Sequence, residues 1–344
     1  MRKFLIAVVL LLGVVFLLTR FTELEEILHV LQNGNLFYLG AALLLQFAWI
    51  YNLSAFYQSL YRVLGMEERR WYLVKLVMSA NFLTIVAPSA GLSGMAIFLS
   101  DARRKNRPTG KVSVAGVLYV WFEYLGTLAV AIIGLGELAR RNTLHWSEVT
   151  ASLILLAGAL FIGFLLFLGL ESPSLLAKTL NGLARVINFI LRPLIHHNYL
   201  TEERAYSFTH DVNEGIGALR EHPHWAGWPI FYALLNKLLL MAILLMCFLA
   251  FQVPTDFATV VAGLSIAQLF LIVSPTPSGI GIVEGVLAVA LSSLGVALEA
   301  STVITLAYRG FSFWVPLIIG MITFRLLDRK NPVTPNPKLT ENQP

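Results

Sequence analysis

Apolar residues run along this chain in long blocks separated by short polar stretches, with no sustained strand-like alternation. A helix needs about 20 apolar residues to cross a hydrocarbon core. Six blocks meet or approach that length: Phe4 to Leu18, Leu36 to Leu60, Val112 to Gly136, Val149 to Leu170, Trp225 to Phe251 and Thr302 to Leu327. The first is short, but Arg2 and Lys3 can snorkel to lengthen it. It looks like the start of a signal peptide, yet Thr19-Arg20-Phe21-Thr22 offers no small-x-small cleavage site. A retained first membrane helix is expected.

Two further apolar stretches, Trp71 to Ser100 and Phe257 to Ala297, are interrupted near their middles by VAPSAGLSG and VSPTPSGIG. Proline lacks an N–H and clashes with the preceding turn, so it stops a helix. Glycine then permits reversal. Each stretch predicts a helical hairpin, re-entrant or fully spanning, that returns the chain to the side it came from. The expected fold is therefore an all-α polytopic membrane protein of six spanning helices and two Pro/Gly-broken hairpins.

Composition agrees. Residues are 57% hydrophobic and only 13% charged, against about 25% charged in a soluble domain, too few to cover a water-facing surface. The net charge of +5 does not point to nucleic acid, because the basic residues sit between apolar blocks. They instead orient the chain. With the N-terminus in the cytoplasm, that side holds 19 of the 25 Lys and Arg, against three (Arg20, Arg140 and Arg141) on the other. Both termini are expected in the cytoplasm, in a cytoplasmic (inner) membrane. Residues 1–330 read as one transmembrane domain: a first half to about 170, a cytoplasmic linker over 171–224 and a second half over 225–327. Leu175 to Leu191 reads as an interfacial helix, and 331–344 as a disordered tail. The single cysteine, Cys247, excludes an intramolecular disulfide.

The halves share an order of spanning helix, broken hairpin and spanning helix. Asn81 lies seven residues before Pro88, as Gln268 does before Pro275; Gly94 lies six after Pro88, as Gly281 does after Pro275. A charge follows in each half, Glu123 at 35 after Pro88 and Arg309 at 34 after Pro275. On the charge-derived topology the two hairpins enter from opposite sides. That predicts an inverted-topology repeat, a common transporter plan with its site near the midplane.

The candidate binding residues follow from what lipid does not tolerate. After Pro275 and Pro277, the glycines Gly279 and Gly281 permit a tight reversal, and the next helix presents free N–H groups that attract anions. The other reading is a tight turn in which Glu284 satisfies the helix dipole. Arg309, inside the last apolar block, needs a partner: Glu284, a lipid phosphate, or both in competition. Glu123 and Lys237 pair with each other or line a polar cavity. Asn81, Gln268, Gln46, Asn52 and Asn236 are intramembrane amides, for which interhelical hydrogen bonding is the usual role. Lys75 is expected to snorkel. The histidines lack an acidic cluster at ligand spacing, so no metal is expected. No P-loop, GxGxxG or nucleophile elbow occurs, so no cofactor and no enzymatic activity are expected.

Pro275, Pro277, Gly279, Gly281 and Glu284, followed by Ala307-Tyr308-Arg309 and Pro316 to Gly320, resemble the membrane domain of lysylphosphatidylglycerol synthase, a flippase-like family. PSAGLSG and the FEYLG around Glu123 resemble its less specific first motif. The likeness covers about residues 4–327. The family often has Pro-Gly-Gly where this chain has Pro277-Ser278-Gly279, and Glu-Arg where it has Glu123-Tyr124. The given sequence ends near its last helix, so the resemblance implies lipid translocation without lysyl transfer.

The expected function is translocation of phospholipid, or of aminoacylated or lipid-linked substrates, between leaflets. Arg309 and the helix end after Gly279 would take the phosphate, while Glu123 and Glu284 neutralise basic headgroup groups. The alternatives are a small-solute or ion secondary transporter and a membrane-embedded lipid transferase or accessory subunit. Expected partners are the membrane and a phospholipid headgroup, with a homodimer left open and no nucleic acid.

Overall fold

The computed structural model describes residues 25–86, 92–171 and 227–330, with Leu175, Thr179 and Gly182 as isolated helical positions. These residues form helices and connecting turns, without a strand among them. The helices are α1 (25–32), α2 (Leu36–Val63), α3 (Arg70–Val86), α4 (Leu92–Arg104), α5 (Thr109–Arg140) and α6 (Trp146–Glu171). After the linker come α7 (Gly227–Ala250), α8 (Phe257–Val273), a 3-10 turn (Pro277–Gly279), α9 (Ile282–Ser293) and α10 (Leu298–Arg309). A π turn (Gly310–Trp314) then joins α10 to α11 (Val315–Lys330).

Five described helices are long and apolar enough to cross a membrane: α2, α5, α6, α7 and the continuous α10–α11. They match five of the six expected spans. The sixth, Phe4 to Leu18, lies outside the described residues, as do most of the 175–191 segment and the 331–344 tail. The two broken stretches are pairs of helices. Their arms have 17 and 13 residues in α3 and α4, and 17 and 12 in α8 and α9, each below the length that spans hydrocarbon.

Local chemistry sets the boundaries. Asn35 caps α2 by accepting from the Phe37 N–H, and Asp256 caps α8 by accepting from that of Thr259. Past α8, Ser274 leaves helical geometry at ψ 134°. Gly279 and Gly281 then take left-handed φ values of 69° and 80°, which allow the reversal into α9. The break of the first hairpin, 87–91 with Pro88, lies outside the described residues.

The two halves share a register. Adding 187, the separation of Trp49 and Asn236, to both ends of α3 gives both ends of α8, and added to the last residue of α2 it gives the last of α7. Packing follows the same exchange: α2 packs on α7, α3 on α11 and α8 on α5. Glycines permit the last two approaches. A Cβ on Gly320 would lie 2.6 Å from the Met78 carbonyl oxygen, and one on Gly134 would strike Ser265. Met78 and Ser265 are again 187 apart. Helices α2 and α7 run antiparallel: Asn35 donates to the Ala250 carbonyl, Trp49 to Asn236 and Asn52 to the Tyr232 carbonyl.

The core has two main apolar clusters. One gathers α2 to α5 around Phe56, Leu60, Leu73 and Leu118; the other gathers α7 to α10 around Ile243, Phe248, Leu264 and Leu287. Outward faces carry Ile132, Leu153, Phe164 and Leu238, each more than half exposed, a surface suited to acyl chains. Helix α1, which the hydropathy pattern did not mark, buries Ile27 against Ile85, Ile280, Phe313 and Trp314.

Candidate functional site

A cavity of about 190 Å³ lies between the halves, lined by residues of both. Its polar wall contains Asn81, Glu123, Lys237, Gln268 and Arg309 from the sequence-derived set, with Trp49, Tyr119, Asn236, Ser278, Tyr308 and Ser312 beside them. Asn81 and Gln268 are 187 apart, and Glu123 and Arg309 are one residue short of that spacing. Equivalent positions thus carry two amides and two opposite charges.

Lys237 is only 2% exposed, on the buried face of α7. A cation there is stable only if paired and hydrogen-bonded. Its ammonium lies 2.5 Å from Glu123 Oε2 and donates to Gln268 Oε1 at 3.2 Å. Glu123 Oε1 accepts from Asn236 at 3.0 Å, and Asn236 accepts from the Trp49 indole N–H at 2.8 Å. This network ties α2, α5, α7 and α8 together, with every carboxylate oxygen used.

Arg309 is buried at 4% exposure on α10. Its Nε lies 2.6 Å from Glu284 Oε1, Nη2 donates to the Ser278 carbonyl at 3.2 Å, and the guanidinium lies 4.7 Å from the Phe313 ring centroid. Glu284 Oε2 is buried and meets no donor among the described residues. The π turn begins at the next residue. Pro316 explains it: that proline has no N–H for the Ser312 carbonyl and its ring would strike it, and widening the turn relieves the clash. Gly310 leaves room for α1, since a Cβ there would lie 2.9 Å from Ile27.

Pro275, Pro277, Gly279 and Gly281 shape the hairpin tip, and neither they nor Glu284 are part of the cavity wall. Helix α9 begins at Ile282 with Gly281 as its cap and Glu284 in its first turn, so a carboxylate already faces that helix dipole. Gly94 is likewise a packing residue, where α4 meets Thr84 and Ala80 of α3. Of the amides, Asn52, Asn236 and Gln268 hydrogen-bond between helices. Gln46 is buried with no partner among the described residues, which nothing in the structure explains. Lys75 is exposed.

Sequence reasoning missed Trp49, Tyr119, Tyr308, Ser312 and Phe313 as wall residues. The aromatics read as ordinary membrane side chains; Pro316, four residues after Ser312, was the available signal of a distortion beside Arg309 and was not used.

The wall thus holds two buried cations, Lys237 paired with Glu123 in the wall and Arg309 paired with Glu284 behind it. The chain belongs to the family described as the lysylphosphatidylglycerol synthase TM region, whose profile matches residues 4–320. No curated protein and no solved structure matches the chain. At the position where the family often has glycine, Ser278 holds a left-handed φ of 52°, a conformation that costs glycine little.

Proposed function

We propose that this protein translocates phospholipid headgroups, aminoacylated or lipid-linked ones included, between leaflets of the cytoplasmic membrane, with both termini in the cytoplasm. The observation that carries the reading is a cavity lined by both halves whose wall holds buried Arg309 and Lys237, each paired with a carboxylate. The halves act as an inverted repeat. The constant offset and the antiparallel α2–α7 pair support this, and rocking about that pair alternates access.

At about 190 Å³ the cavity fits a headgroup and not its acyl chains, which stay in lipid. Arg309 takes the phosphate through its planar donors. Glu284, which pairs with Arg309 from behind the cavity wall, is the counterion with which the phosphate competes. Glu123 is already engaged by Lys237 and Asn236 and serves as wall. No covalent step is proposed. The same small volume favours, as a second reading, a solute or ion transporter that encloses its whole substrate.

The test is reconstitution into vesicles with a labelled phospholipid and a leaflet-selective quencher. The intact protein is expected to speed translocation, and Arg309→Ala to slow it by at least about tenfold, the equivalent of about 1.4 kcal/mol. Unchanged translocation by that variant overturns the role of Arg309. A protein that moves a soluble solute and no lipid supports the second reading.

A further inference from the structure

The α2–α3 turn and the start of α7 enclose a second cavity, of about 270 Å³, remote in character from the first. Its wall includes Arg62, Arg70, Gln58, Ser59, Trp228 and Tyr232. Arg70 Nε donates to Gln58 Oε1 at 2.5 Å and Nη1 to the Tyr51 hydroxyl at 3.1 Å, with the guanidinium 5.7 Å from the Tyr51 ring centroid. Gln58 is held in turn by donating to the Glu68 carbonyl at 2.8 Å. These partners are all neutral, so they position the guanidinium without cancelling its charge.

No carboxylate lines this groove among the described residues. The nearby Glu68 side chain is taken by Lys105 at 2.5 Å and Arg107 at 2.9 Å. The contrast with the central cavity is direct: there each cation pairs with a carboxylate, here Arg70 meets amide, hydroxyl and ring, with Arg62 beside it in the wall. Such a site favours an anion with several oxygen acceptors. The surrounding aromatics narrow the choice. Trp228 stacks on Tyr232 at 6.1 Å and is 58% exposed, and Trp71, 73% exposed, lies 5.9 Å from Tyr51. Indole rings beside arginines at the end of apolar helices mark the headgroup level of a bilayer, and a small free anion would leave them unused.

We propose that this groove binds the phosphate of an anionic glycerophospholipid, as a headgroup site separate from the central cavity and independent of whether that cavity transports. The test uses the purified full chain in neutral detergent, with retained phosphatidylglycerol and phosphatidylcholine measured by native mass spectrometry. The intact protein is expected to hold phosphatidylglycerol about tenfold more tightly. Arg62→Gln, at an exposed side chain where folding is not at stake, should cut that preference about fivefold, and Arg70→Gln should cut it further. Arg309→Ala should leave the loss caused by Arg62→Gln intact, which separates this site from the central one. Equal retention of the two lipids by the intact protein, or no loss in either groove variant, overturns the proposal. So does displacement of phosphatidylglycerol by millimolar inorganic phosphate, because the ligand would then be a soluble anion.

Discussion

Glu123 engages both carboxylate oxygens, one with Asn236 and one with Lys237, and Lys237 reaches on to Gln268. Glu284 engages one oxygen with Arg309 and keeps the other buried without a donor. The backbone differs too. Glu123 lies within an unbroken helix of 32 residues, whereas Arg309 directly precedes a π turn and Glu284 follows a left-handed hairpin tip. Wide turns of this kind recur at functional sites. The ion pairs of the two wall cations therefore differ in kind: one closes a hydrogen-bond network, and the other retains an unmet acceptor and can exchange a partner. A fully satisfied buried network rigidifies its surroundings, while a partly satisfied one carries stored cost.

Stability measurements can break this comparison. Glu123→Ala strands a buried ammonium, so the purified protein should lose about 3–5 kcal/mol in thermal or denaturant unfolding. Glu284→Ala should cost about 1–3 kcal/mol, less because it also removes the unpaired oxygen and leaves Arg309 with the Ser278 carbonyl and the Phe313 ring. A larger loss at Glu284 than at Glu123 would invert the assignment of roles.

A smaller effect extends the contrast to the turns outside the helices. The hydroxyl and backbone N–H of Thr259, helped by Arg141, hold the Asp256 carboxyl down at about 2. A carboxyl lowered on folding contributes stability above its unfolded value of about 4. That contribution is lost as pH falls from about 4 through about 2. Asp256→Asn should flatten the melting temperature in that window and lower it near neutrality, where the lost contribution is fully present, by a modest amount because the carboxyl is exposed. An identical acid profile in the variant would show that the Arg141–Asp256 contact does not hold the α5–α6 turn to α8.

Much of this was legible because lipid restricts where irregular backbone and charge can stand. VSPTPSGIG marked the reversal between α8 and α9, and the spacing of Asn81 and Gln268, and of Glu123 and Arg309, anticipated four wall residues. Both charge pairs could be named because each buried ion needs a counterpart. The remainder was hidden by uniform hydropathy. Helix α8 is buried on all sides from Thr259 to Leu269 while α6 exposes Leu153, Ile154 and Phe164, yet both are apolar throughout. In lipid the outward face is as oily as the core, so periodicity no longer reports which side faces in. That is why Trp49 and Tyr119 gave no signal, and why α1, a short helix with Ile27, Leu28, Val30 and Leu31 among polar residues, was passed over.

The most direct test compares charge-neutral replacements of each pair in the vesicle translocation assay. Glu123→Gln with Lys237→Met removes the network without stranding a charge, as Arg309→Met with Glu284→Gln removes the exchangeable pair. The account predicts that the first double variant still moves labelled phospholipid at a rate within about threefold of the intact protein, and that the second loses at least about tenfold, a difference near 1.4 kcal/mol. Equal loss in both, or loss confined to the first, would contradict it.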